Sequence, residues 1–213
     1  MTLPHRHRLP SGIDTAKSLS HDSTIVMLHG WLGNENVMWA FENVLPKNAL
    51  IVSPRAPLKV SDGYGWFYKR EHADFEDSLA KGLATLREFI QQLPNLYPID
   101  IDKIYLMGFS QGAAMCYAFA LADPQAVAGV IALAGFLPDT ARAQITPNCL
   151  AHKPIFISHG TQDKEVPLSQ AREAHEALTL SGATITYGEY ETGHKLNVEG
   201  MRDLKAWLNL VVR

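Results

Sequence analysis

The chain has 213 residues, a net charge of −3 at neutral pH and an unremarkable share of hydrophobic residues (46%). That length suits a single α/β domain spanning 1–213, and the weak negative charge argues against nucleic acid or an anionic membrane surface as a partner. Its two cysteines, Cys116 and Cys149, allow at most one bridge and lie in no zinc-ligand spacing. The N-terminus has no apolar signal stretch, and the longest apolar run, 126–137, is too short to span a bilayer. The expectation is a cytoplasmic protein with no stable membrane insertion.

Taken in order, strands alternate with helices. Residues 1–22 form an N-terminal extension, expected as a strand or hairpin at a sheet edge, and its short basic cluster His5-Arg6-His7-Arg8 reads as solvated. Thr24–Leu28 is a short, wholly apolar strand ending at His29-Gly30. Val37–Leu45 reads as helical, and Ala49–Ser53 as the next strand, stopped by Pro54. Residues 55–70 read as a loop rich in Pro, Gly and aromatics. Phe75, Leu79, Leu83, Leu86, Ile90 and Leu93 recur every three or four residues, one apolar stripe of a helix that Pro94 should end. Lys103–Met107 is a strand, Ala113–Ala122 a helix and Val127–Ala134 a buried strand. Residues 138–153 read as loop or short cap. Ile155–Ser158, Ser169–Leu180, Ala183–Tyr190 and a final amphipathic helix through Met201, Leu204, Leu208 and Val211 complete the pattern. Such alternation, with uniformly apolar strands, predicts a mostly parallel sheet covered by helices on both faces.

Between the strand at 103–107 and the helix at 113–122 stands Gly108-Phe109-Ser110-Gln111-Gly112. A Gly-x-Ser-x-Gly at a strand-to-helix junction reads as a nucleophile elbow, which lifts a serine hydroxyl above the carboxyl end of the sheet. A serine hydroxyl needs a neutral histidine as base, and that histidine needs a carboxylate to fix its tautomer. In this fold the partners follow in the order Ser, acid, His. Asp163 follows the strand 155–158 in a short Gly-containing loop. Its rivals are less well placed: Asp123 precedes Pro124 at a helix end, Asp139 opens a Pro-flanked loop and Asp203 lies in the last helix. After Asp163 come only His175, inside a helical pattern, and His194, in the loop Glu191-Thr-Gly-His194. The candidate triad is therefore Ser110, Asp163 and His194. For the oxyanion, the amide of Gln111 is one expected donor, at a helix N-terminus whose dipole favours negative charge. The amide of Trp31, in His29-Gly-Trp-Leu-Gly33, is the second. His29 and His159 are expected to order their loops.

Together these segments resemble the small carboxylesterase and lysophospholipase branch of the α/β-hydrolases, which includes acyl-protein thioesterases. The resemblance is carried by Leu28-His-Gly-Trp-Leu-Gly33, Pro54-Arg-Ala-Pro57, Gly65-Trp-Phe67, Gly108-Phe-Ser-Gln-Gly-Ala113, Ala134-Gly-Phe136, His159-Gly-Thr-Gln-Asp163 with Val166-Pro167, and Gly193-His194. It implies an α/β-hydrolase fold with a minimal cap, a Ser-Asp-His triad, no metal or other cofactor, and hydrolysis of carboxylic esters or thioesters. One departure stands out. Many relatives read His-Gly-x-Gly where this chain has Leu32 at the second glycine, followed by Gly33, so a loop shifted by one residue is the alternative placement of the second donor.

An acyl group needs apolar walls. Trp66, Phe136 and Leu137 are the candidate substrate-binding residues, with Trp31 and Phe67 in the same class of loop. The expected partner is a small acyl ester or thioester, and the chain is expected as a monomer or homodimer. Two other readings remain: a hydrolase of another acyl bond, such as a peptidase or lactone hydrolase, and a catalytically silent binding module on the same fold.

Overall fold

The computed structural model describes residues 2–11 and 23–212. Among these residues, seven strands form one sheet in the order β1-β3-β2-β6-β7-β8-β9, where β1 is His5–Arg8, β2 Thr24–Leu28, β3 Leu50–Pro54, β6 Ile104–Phe109, β7 Gly129–Leu133, β8 Pro154–Gly160 and β9 Thr184–Tyr190. All neighbouring pairs are parallel except β1 with β3, where His5 lies opposite Pro54. The basic cluster is thus an edge strand of the sheet rather than a loose segment; residues 12–22 lie outside the described residues.

Two cores sandwich the sheet because successive side chains of a strand point to opposite faces. Val26 and Leu28 pack with helices α1 (Phe75–Leu96), α2 (Gln111–Ala122) and α4 (Leu168–Leu180); Ile25 and Met27 pack with α5 (Val198–Val211) and the 3₁₀ helix Val37–Val44. Helix α2 is buried along almost its whole length, which explains its all-apolar sequence. Among the described residues no helix is long and apolar enough to cross a membrane. Both cysteines are free, Cys116 buried in α2 with its thiol pushed well above the usual range by burial.

Three boundaries differ from the sequence expectation. Helix α1 runs through Pro94 to Leu96. The stop is Tyr97, extended at φ −139° and ψ 139°, because Pro98 follows it and the proline ring clashes with a helical predecessor. Residues 55–70 include a hairpin, β4 (Leu58–Val60) with β5 (Gly63–Gly65). One turn of helix, α3 (Asp139–Arg142), lies within 138–153.

Strands run outward from β2 toward β3 on one side and from β6 toward β9 on the other. The order reverses between β2 and β6. Open α/β sheets bind ligands in the crevice beyond the carboxyl ends of the strands at such a reversal. The loops leaving these two strands begin at His29 and Ser110.

Candidate active site

Ser110 has φ 53° and ψ −116°, a conformation that non-glycine residues rarely adopt. The surroundings hold it there. Its N–H donates to the Leu133 carbonyl (2.8 Å), and its carbonyl accepts from the amides of Ala113 and Ala114 (3.0 and 3.1 Å). The flanking glycines are obligatory on steric grounds. A Cβ on Gly108 would lie 2.3 Å from the backbone of Gly112, and one on Gly112 would lie 2.0 Å from the Leu28 carbonyl oxygen. The elbow therefore rests directly on the end of β2.

At the far ends of β8 and β9 the loops carrying the candidate acid and base are joined by main-chain bonds. Thr161 N–H donates to Tyr190 O and Gln162 N–H to Thr192 O. A Cβ on Gly160 would meet the Gly193 carbonyl at 2.2 Å, so only glycine lets the two loops approach this closely. Asp163 is buried, and its carboxylate is surrounded by donors. Oδ1 accepts from the amides of Glu165 and Val166 (2.9 Å each), and Oδ2 accepts from His194 Nδ1 (2.7 Å). Since a carboxylate accepts, the His194 proton sits on Nδ1 and Nε2 carries the free lone pair. His194 is held between this bond and the Phe109 ring, 4.9 Å away between centroids. His159, also buried, donates from Nε2 to the Val166 carbonyl (2.8 Å) with Asp163 Oδ2 at 3.5 Å. It thus orders the turn that carries the acid.

The loop after β2 lies against the nucleophile: a Cβ on Gly30 would stand 3.4 Å from that of Ser110. Gly33 N–H closes a turn onto Gly30 O (3.0 Å) with Leu32 as its third residue, at φ 62°. Leucine there occupies the left-handed conformation that suits glycine, at a cost of roughly 1–2 kcal/mol. His29 is fully buried and links the loop to the next one. Ala56 N–H donates to its Nε2 (3.0 Å), so Nδ1 holds the proton and donates to Gly30 O (2.8 Å). Burial lowers its pKa, which keeps it neutral. The Gln111 amide is the first of α2, where first-turn N–H groups have no partner within the helix.

Ser110 and His194 line one open cavity of about 930 Å³ together with Gly30, Trp31, Phe67, Phe109, Gln111, Phe136, Val166 and Pro167. Its rim is charged or polar, with Lys69, Arg70, Glu71, Glu165 and Gln170. Of the substrate-binding candidates, Phe136 faces this cavity and two do not. Trp66 is buried beneath the loop after β2, its indole N–H donating to His29 O (3.0 Å) and its amide to Gln111 Oε1 (2.8 Å). Leu137 is 3% exposed and belongs to the core under α2. An aromatic-rich loop announces apolar surface, but its pattern does not tell which side chain turns in and which turns out. The charged rim has no sequence signature, since isolated exposed charges give no periodic signal. Arg70 also forms an ion pair with Asp139, tying the 67–71 loop to α3.

The phospholipase/carboxylesterase family profile matches residues 15–212. The chain belongs to that family. Curated relatives include acyl-protein thioesterase 1 of Candida albicans, 27% identical over 96% of each chain, and a probable carboxylesterase, SOBER1-like, of Arabidopsis thaliana, 29% identical over 86% of this chain and 77% of the relative. Among solved structures, the Bacillus cereus carboxylesterase superposes with a TM-score of 0.85 at 22% identity, covering 98% of this chain and 94% of that one. At that identity the superposition speaks for the α/β-hydrolase fold. Family membership adds that this is a hydrolase of the carboxylesterase or thioesterase kind.

Proposed function

We propose that the chain is a serine hydrolase that cleaves carboxylic esters and thioesters through an acyl-enzyme on Ser110. The observation that carries this reading is the 2.7 Å bond from His194 Nδ1 to a buried, fully donor-surrounded Asp163, in the same cavity as a serine held at positive φ. His194 Nε2 takes the Ser110 proton as the oxygen attacks the acyl carbonyl. The amides of Gln111 and Trp31 receive the negative charge that develops on the carbonyl oxygen. His194 then returns the proton to the leaving alcohol or thiol, and repeats the exchange with water to release the acid. Asp163 stays ionised throughout and balances the imidazolium.

Phe67, Phe136, Phe109 and Val166 give the acyl group an apolar bed, and the open cavity suits a leaving group that extends into solvent. The preference between oxygen ester and sulfur ester is the finer part of the proposal; measuring both esters of one acyl chain under identical conditions sets it. A fluorophosphonate probe tests the assignment as a whole. It should label the wild type at Ser110, and Ser110→Ala should abolish both labelling and turnover of short p-nitrophenyl esters. Labelling that persists in the variant would overturn the assignment.

A further inference from the structure

We infer that Glu35 and Arg55 are positioning residues for this reaction, a brace that holds the loop carrying the Trp31 amide in register with Ser110. The inference rests on the oxyanion role proposed above for that loop. Neither residue lines the cavity, so each acts through the backbone it anchors.

The loop after β2 is weakly supported from within. Between Gly30 and Gly33 its own support is the turn bond and the bond from His29 to Gly30 O, and at Leu32 it carries a half-exposed leucine (49%) in the left-handed region. Relaxing Leu32 to negative φ would rotate the adjoining peptides and carry Trp31 with them. An amide that stabilises an oxyanion must keep its place to about half an ångström. The support comes from the next strand. Arg55 follows β3 and is rooted by its own amide, which donates to Pro4 O (2.8 Å). Its guanidinium donates from Nε and Nη2 to the two carboxylate oxygens of Glu35, at 2.7 and 2.6 Å. The same guanidinium lies over the Tyr64 ring, 4.8 Å from its centroid, and the Tyr64 amide donates to Gly33 O (3.0 Å). A planar fork bound at two points fixes direction as well as distance, which a lysine at 55 would not do. Three residues from different segments thus close a ring around the strained turn. A solvated surface pair would contribute little. This pair is half-buried on the arginine side and nearly buried on the glutamate side.

Kinetics of Glu35→Gln and Arg55→Lys test the brace. Both variants should lose roughly tenfold to a hundredfold in kcat, less than complete loss of one oxyanion donor, with KM close to wild type. Their affinity for phenylboronic acid should fall by the same factor as kcat/KM. The boron of that probe bonds to the Ser110 oxygen and becomes a tetrahedral anion, while the serine proton passes to His194. Adding Leu32→Gly to Glu35→Gln should restore part of kcat, because a glycine turn needs no brace. Arg172→Gln, which removes a bidentate pair with Glu189 on the far side of β9, should leave kcat unchanged. Wild-type kcat in Glu35→Gln, or a kcat loss without a matching loss of boronate affinity, would overturn the brace while leaving the serine hydrolase standing. A wild type that fluorophosphonate does not label would remove both.

Discussion

The two sides of the active site are built on opposite principles. On the side of the proposed acid and base, the loops after β8 and β9 are joined by main-chain bonds, and Asp163 Oδ1 takes both of its donors from its own turn. These main-chain bonds are independent of the Asp163–His194 ion pair. On the other side, the loop after β2, which carries the proposed second oxyanion donor, holds a leucine at φ 62° and leans on its neighbours: the buried His29, the Trp66 indole from beneath and Arg55, which reaches Glu35 from the end of β3. The difference follows from what each side must do. The triad needs one directional bond between two side chains, which local packing can fix. An oxyanion donor is a peptide group, and a peptide in a turn can be aimed only by fixing the chain on both sides of it.

Three perturbations sharpen that contrast, beginning with the largest. Asp163→Asn keeps the shape of the acid turn but presents an amide where His194 Nδ1–H needs an acceptor. It should lower kcat/KM by about 10⁴-fold with little change in thermal midpoint, since the backbone bonds between the two loops remain. Parallel loss of activity and folded protein would show that the loops after β8 and β9 depend on the Asp163 charge for their structure. The next effect reads the other side through acid titration. The bond from Arg55 holds the Glu35 carboxyl at about 2, below its ordinary 4.5. A depressed carboxyl pKa stabilises the fold above the unfolded value, and that contribution fades as pH falls from about 4.5 to about 2. Urea midpoints of wild type and Glu35→Gln should therefore differ at neutral pH and converge across that window. A constant gap down to pH 2 would mean that the charge pair does not support the loop. The smallest effect belongs to Leu32→Gly. Relief of the left-handed strain is partly offset by the greater freedom of glycine in the unfolded chain, so a net gain of about 0.5–1 kcal/mol is expected by denaturant titration. A loss would locate compensating contacts at the Leu32 side chain.

The same contrast explains what could be read from the sequence. Ser110, Asp163 and His194 are legible as candidates because strand ends and chain order constrain them strongly, and the apolar runs of a doubly covered sheet are easy to recognise. Leu32 was legible as an anomaly against a glycine pattern, and its positive φ gives that anomaly a physical meaning. The brace was not legible. Glu35 and Arg55 are twenty residues apart in loops of different strands, and only the register of β2 beside β3 brings those loops together. That Trp66 and Leu137 stand outside the Ser110 cavity is not legible, for a related reason. Hydrophobicity marks them as buried, but it does not distinguish the wall of a cavity from the core behind it. The end of α1 teaches a more local lesson: Pro94 is accommodated within the last turn, whereas Pro98 acts through its predecessor.

Gln111 has a consequence for how such an enzyme can change. Its amide opens α2 beside the nucleophile, while its side chain receives the Trp66 amide and donates from Nε2 to Phe67 O (2.7 Å). One residue therefore connects the proposed oxyanion site to the loop of Phe67 on the cavity wall. A substitution here would shift selectivity and turnover together, so drift toward new acyl groups has freer paths at Phe136, Val166 and the charged rim, whose changes leave the reacting centre where it is.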